Sequence, residues 1–170
     1  AQAKKYLHTA HLACRTLSQS FHSLLDLTAL ECGVHPITYS VFSISALVDG
    51  IIQAYQPDAE QHNILLRQSP RSKRVTYYTR SDQTLLRRTL DNLVSNGIKY
   101  SINKNHRRSF VLLDISPSFE QDRLIIRIID NGRGIPESEQ DNVFKPYRQL
   151  HNPRGDRTKG VGLGLSIVKI

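Results

Sequence analysis

The chain has 170 residues, 39% hydrophobic and 22% charged, the composition of a soluble globular protein large enough for one good core. No apolar run approaches the roughly 20 residues that cross a bilayer, and the opening AQAKKYLHTA carries charge without the apolar centre of a secretory signal. The net charge of +8 raises nucleic acid as a partner, but the cations fall in separate loop-like runs (Arg71 to Arg74, Lys104 to Arg108, Arg154 to Lys159) with no stripe of basic and aromatic residues, so no nucleic-acid interface is expected.

Ala3 to Leu30 has few breakers and sets Leu7, Ala10, Cys14, Leu17, Phe21, Leu24 and Leu25 at helical spacing. That predicts one long amphipathic helix, ended at Gly33 and stopped by Pro36. Cys14 and Cys32 are too few for a disulfide framework and lack the partners of a zinc site, so both read as reduced thiols of a cytoplasmic protein. The connector ITYSVFSIS leads to a second helix, Ala46 to Tyr55, closed by Pro57. Ile64 to Arg67 and Val75 to Tyr78 read as short strands. Leu86, Leu90, Leu93, Val94 and Ile98 mark an amphipathic helix over Ser81 to Lys99, capped by Ser81 or Asp82. Two strands follow, Phe110 to Ile115 and Leu124 to Asp130, joined by a polar turn around Pro117 to Gln121. The mixture predicts an α+β fold, a two-layer α/β sandwich with helices on one face of a sheet, preceded by the long N-terminal helix. The sequence contains no Met at all, so the chain reads as a piece of a longer protein.

Three segments carry chemistry. Asn92 and Asn96 are spaced i, i+4 on a helix, and Lys99 and Tyr100 extend the same stripe. Carboxamide oxygens are competent neutral ligands for Mg²⁺, and a lysine one turn on can face phosphates as a point charge; taken alone, two Asn on a helix are more often ordinary solvent-facing side chains. Asp130 continues the face of Leu124, Ile126 and Ile128, which puts a carboxylate at the end of a buried row, costly unless it accepts hydrogen bonds. An exocyclic amine such as adenine N6 would supply one. Gly132 and Gly134 after it allow positive φ and the close approach of a flat ring, although a surface Asp-Asn-Gly turn gives the same letters. Last, Gly160, Gly162 and Gly164 run into an apolar helical segment, a general anion-site pattern that is neither a P-loop nor a dinucleotide fingerprint.

The order and distances of NLVSNGIKYS, DNGRGIP, VFKPYRQL and GVGLGLSIVK closely resemble the sensor histidine kinase ATPase domain, a branch of the Bergerat-fold ATPases. The resemblance covers about Val41 to Lys169. It implies ATP and Mg²⁺ as cofactors, with Asn96 holding the metal, helped by Asn92, and Lys99 and Tyr100 near the phosphates or the nucleotide edge. It implies that Asp130 binds the adenine amine, that Gly132 and Gly134 floor the base pocket with Ile135 beside them, and that Gly160, Gly162, Leu163, Gly164 and Leu165 flank the phosphates. A lid would span about His151 to Lys159. Tyr147 stands where Phe is usual and Gln149 where many members carry Arg, so the lid contact to phosphate is weaker or is made by Arg148.

The family resemblance also divides the chain into residues 1–35, the second helix of a dimerisation hairpin, and residues 41–170, an ATP-binding catalytic domain lacking its C-terminal end. His8, His11 and His22 do not fit the acceptor motif and read as ordinary helix residues, so the acceptor histidine is expected upstream. The partners implied are the dimerisation and phosphoacceptor helix of the same kinase, a response-regulator receiver domain, and a second copy in a homodimeric parent that is cytoplasmic in this part and membrane-anchored elsewhere. Related ATPases place a water-activating Glu where this chain has Asn92, which favours phosphoryl transfer to histidine over hydrolysis. A stand-alone ATPase and a degenerate nucleotide- or partner-binding module are the alternatives.

Overall fold

The computed structural model describes residues 36–102, 108–148 and 164–168. The helix expected over Ala3 to Leu30, with Cys14 and Cys32, lies outside them. The chain divides into two compact units, 37–134 on one side and 1–36 with 135–170 on the other.

The first unit runs β1 (Ser40–Ser43), α1 (Ile44–Gln61), β2 (Ile64–Gln68), a 3₁₀ turn (Ser72–Arg74), β3 (Tyr78–Ser81), α2 (Gln83–Ser101), β4 (Ser109–Ser118) and β5 (Arg123–Asp130). β4 is the middle of a three-stranded mixed sheet, parallel to β2 and antiparallel to β5, while β1 and β3 pair separately as an antiparallel ribbon. Alternation sorts the sheet's faces. Ile64 and Leu66 of β2 and Val111, Leu113 and Ile115 of β4 are buried, whereas Leu65 and Arg67 point to solvent. Against this one face pack Leu47, Val48 and Ile51 of α1 and Leu90, Val94 and Ile98 of α2, with Leu124, Ile126 and Ile128 of β5 half-buried at the margin. Each aliphatic side chain closed off in this way contributes roughly 1.5–3 kcal/mol. The two-layer arrangement is the one that the sequence predicts.

Four local expectations change. The connector after Pro36 contains β1, a strand too short and polar to announce itself, which exists because Ser40 to Ser43 pair with Ser81 to Tyr78. Pro57 lies inside α1 and does not end it. The carbonyl of Gln53, which loses its helical donor to the proline ring, sits on the exposed side of the helix, while Ala59 is fully buried and holds the last turn to the core. The strand expected at Val75 to Tyr78 begins at Tyr78, because Ser45 Oγ holds the preceding segment through Tyr77 N–H (3.3 Å) and Val75 O (3.4 Å). β4 runs on through Pro117, beyond Leu113 where its ladder with β2 ends, a stretch that tolerates a missing donor.

Helix α2 is anchored at its start. Asp82 is its N-cap: Oδ1 accepts from Thr84 N–H at 2.9 Å and Leu85 N–H at 3.0 Å, and Oδ2 accepts from Thr38 N–H at 2.9 Å. The carboxylate is nearly buried, at 8% exposure, and joins the helix to the chain entering β1. In the second unit, a 3₁₀ turn (Glu137–Glu139) is followed by turns to Arg148, and α3 is a short helix, Gly164–Val168. Asp82→Ala is expected to destabilise the chain by about 2 kcal/mol, the cost of a lost cap plus a deprived buried donor. The midpoint of urea unfolding checks this.

Candidate functional site

Helix α2 carries two faces. Leu90, Val94, Gly97, Ile98 and Ser101 are buried, and Asn92, Asn96, Lys99 and Tyr100 lie half-buried along the adjoining stripe. Gly97 sets how closely this helix meets the sheet. A Cβ there would lie 3.2 and 3.3 Å from the two γ-carbons of Val111 and 3.9 Å from Asp130 Cβ. Asp130 is the register partner of Val111, so the segment that presents Asn96 passes directly over the end of β5.

Asp130 shares the inward row of Ile126 and Ile128, as expected, but it is exposed. β5 outruns the core at this point, so the carboxylate emerges at the rim and does not end a buried row. Its Oδ1 accepts from Gly132 N–H at 2.9 Å. The turn that follows folds back on α2. A Cβ on Gly132 would lie 2.5 Å from Tyr100 O, and Arg133 N–H donates to that same oxygen at 3.3 Å. Gly132 is therefore required by close approach; positive φ belongs to Gly134, at +70° with nothing within 4 Å of its Cβ position.

Sequence reasoning passed over two residues of this turn. The amide of Asn131 bridges to the start of β4, accepting from Phe110 N–H at 2.8 Å and donating to Arg108 O at 3.0 Å. Arg133 places its guanidinium carbon 4.8 Å from the Tyr100 ring centroid, and Lys99 Nζ lies 5.2 Å from the same point. A cation between two glycines, one chain segment away from a Lys-Tyr pair, was the available signal; it acquires meaning only once the turn folds back.

Asp91, next to Asn92, belongs to another side of the helix. It pairs with Arg87 at 3.6 Å, and burial raises its pKa despite that attraction. Among the described residues no group of three or more His, Cys, Asp and Glu side chains could hold a metal, so the oxygen donors on the stripe are the neutral amides of Asn92 and Asn96. In the second unit Ile135 is exposed, and Gly164 and Leu165 are the half-buried first residues of α3. Tyr147 is exposed with φ +63°, and the Arg148 guanidinium is held by Glu139 through contacts of 2.9 to 3.3 Å. Gly160, Gly162, Leu163, Gln149 and the expected lid, His151 to Lys159, lie outside the described residues.

The two glycines of the turn should fail differently. Gly132→Ala, which drives a methyl into a backbone carbonyl, is expected to cost roughly 2–3 kcal/mol, and Gly134→Ala, which meets only a torsional penalty, about 1 kcal/mol; paired urea titrations read the difference. Asp91 gives a pH signature. Its folded-state pKa is raised, so the folded chain keeps a proton that the unfolded chain has lost, and stability falls as pH climbs through that interval. Asp91→Asn removes the term, so its stability relative to the parent chain is expected to improve between about pH 3 and about pH 7. Unfolding midpoints at the two ends check the sign.

Residues 81–170, which include α2, β4, β5 and the turn, match the family described as histidine kinase-, DNA gyrase B-, and HSP90-like ATPase. The circadian input-output histidine kinase CikA of Synechococcus elongatus is 31% identical over 167 residues, covering 98% of this chain and 21% of that protein. Full-length ShkA in complex with AMPPNP superposes with a TM-score of 0.74 at 22% identity, over 99% of this chain and 33% of that one. Histidine kinase ThkA, solved in complex with the response regulator protein TrrA, gives 0.67 at 15% identity, over 86% of this chain and 40% of that one. The chain spans about a fifth of the length of the curated CikA relatives it matches. By its matched segment and its architecture, the chain belongs to the histidine kinase-, DNA gyrase B- and HSP90-like ATPases, with the ATP-binding catalytic domain of the sensor histidine kinase type.

Proposed function

We propose that this chain binds Mg-ATP at the junction of α2 with the Asp130–Gly134 turn and donates the γ-phosphate to a histidine on a dimerisation helix. The observation that carries the reading is that junction: an amide-and-lysine stripe on one element and a rim carboxylate on another are brought together by glycine contacts at Gly97 and Gly132. Asp130, exposed at the strand end, accepts the adenine amine. Gly132 and Gly134, followed by Ile135, leave room for the base. Lys99 and Tyr100 take the phosphate side or the nucleotide edge, and Gly160, Gly162, Leu163, Gly164 and Leu165 take the remaining phosphate contacts through backbone amides.

The donor set fits Mg²⁺. Asn96, with Asn92 one turn earlier, would hold it through carboxamide oxygens, leaving its other positions to water and phosphate. When bound, the ion neutralises charge on the transferring phosphoryl group. The described residues of the α2 stripe orient the nucleotide, and none of them is a base for water. The position four residues before Asn96 is an amide, and Asp91 is paired with Arg87 on another side of the helix. An imidazole acceptor brings its own lone pair, which suits a site built for positioning.

Residues 1–35 are proposed as the second helix of the dimerisation hairpin, and residues 41–170 as the catalytic domain. The parent is proposed as a homodimer whose phosphoryl group passes on to a response-regulator receiver domain in the cytoplasm; ThkA, solved with a response regulator, supports that partner class. Among the described residues no helix is long and apolar enough to cross a membrane.

Titration calorimetry with Mg-ATP tests the reading. Saturable binding is expected, weakened roughly 10- to 100-fold by Asp130→Ala, which removes a charged hydrogen-bond acceptor. Asn96→Ala should abolish the dependence of binding on Mg²⁺. Labelled phosphate should reach a separately supplied hairpin carrying the acceptor histidine. Absence of saturable binding in the unaltered chain ends the nucleotide reading. Binding without transfer supports a nucleotide-binding module, and steady phosphate release without acceptor supports a hydrolase.

A further inference from the structure

The side chain and main chain of Arg133 both converge on Tyr100, a residue of a different element. Its N–H donates to Tyr100 O at 3.3 Å, and its guanidinium carbon stands 4.8 Å from the ring centroid. Lys99 Nζ stands 5.2 Å from that centroid, so two cations address one aromatic ring. The negative π-face attracts each of them, and a planar guanidinium also stacks on it. Like charges this close repel, and the ring lowers the cost of keeping both at the same rim.

We infer that Arg133 is a positioning residue of the nucleotide site: it clamps the Tyr100 ring from the β5 turn and so sets the orientation of the Lys99-Tyr100 pair that ends α2. The inference rests on the Mg-ATP reading above. Nothing in the composition of the turn demands a long cation between two glycines, since the backbone contacts of Gly132 and Arg133 to Tyr100 O would survive any side chain at position 133. The contact over the ring is one that the side chain adds. It acts through Tyr100, so its effect must vanish when the ring is removed.

The test is a double-mutant cycle on the full chain, with the dissociation constant of Mg-ATP as the readout. Arg133→Met, close in length and without charge, is expected to weaken binding about threefold, the scale of a solvent-facing cation–π contact. Arg133→Lys, which keeps a cation over the ring, should recover most of that loss. In a Tyr100→Leu background, Arg133→Met should change nothing further. Urea unfolding of Arg133→Met without nucleotide should match the parent chain, which separates positioning from a structural role. Unchanged affinity in Arg133→Met overturns the inference. An equal loss with and without the Tyr100 ring also overturns it, because Arg133 then touches the nucleotide directly, as does a loss accompanied by a lower unfolding midpoint. If the unaltered chain fails to bind Mg-ATP, the nucleotide reading itself has failed and takes this one with it, an outcome visible before any variant is compared.

Discussion

Helix α2 meets the sheet through absent side chains. At Gly97 the helix approaches Val111 so closely that one methyl would press into both γ-carbons, and at Gly132 the turn after β5 reaches the Tyr100 carbonyl in the last turn of the same helix. Glycine within a helix costs about 1 kcal/mol relative to alanine, so its presence at position 97 runs against helix propensity. In return the helix sits low enough for its polar stripe to share a rim with Asp130. Move α2 outward and the core residues Leu90, Val94 and Ile98 lose contact with β4, while Asn96 and Lys99 leave the end of β5.

Neighbouring positions on α2 are therefore given unlike tasks. Asp91 and Asn92 are adjacent in sequence, but about 100° apart around the axis. One turns to Arg87 and is partly desolvated; the other lies on the open stripe. That separation removes the nearest carboxylate from the place where a nucleotide's terminal phosphate would sit. The stripe is consequently amide-rich, with Lys99 and Arg133 both set near the Tyr100 ring.

Much of this was legible in the sequence because the governing patterns are local. The α2 stripe, the alternation of β5 and the shared face of Asp130 follow from periodicities of 3.6 and 2, and side-chain chemistry narrowed the cap to Ser81 or Asp82, of which the structure uses Asp82. The one-face sandwich follows from the order of elements. What escaped depends on partners far along the chain. β1 is specified by a strand some forty residues later, and the start of β3 by the Ser45 hydroxyl. Pro57 misled because a proline predicts a helix end only where burial does not hold the next turn, and Ala59 holds it. The exposure of Asp130 could not be read from alternation, which assigns a face but not the point at which the core ends. Asn131 and Arg133 looked like turn residues because their partners, Phe110 and Tyr100, become neighbours only after β4, β5 and α2 have assembled.

The parallel pairing of β2 with β4 has a kinetic meaning. Parallel neighbours need a crossover, and here the crossover from Gln68 to Ser109 contains β3 and the whole of α2. The middle strand therefore cannot close against β2 until a long loop has been drawn in, a high-contact-order event that is slow and comes late in folding. Because α2 lies within that loop and its apolar face helps to cover the strands it connects, sheet closure and assembly of the site are one cooperative step. A ligand gripping α2 and the β5 turn would then hold shut the entire crossover, so that occupancy of a surface site would be felt as resistance to global unfolding.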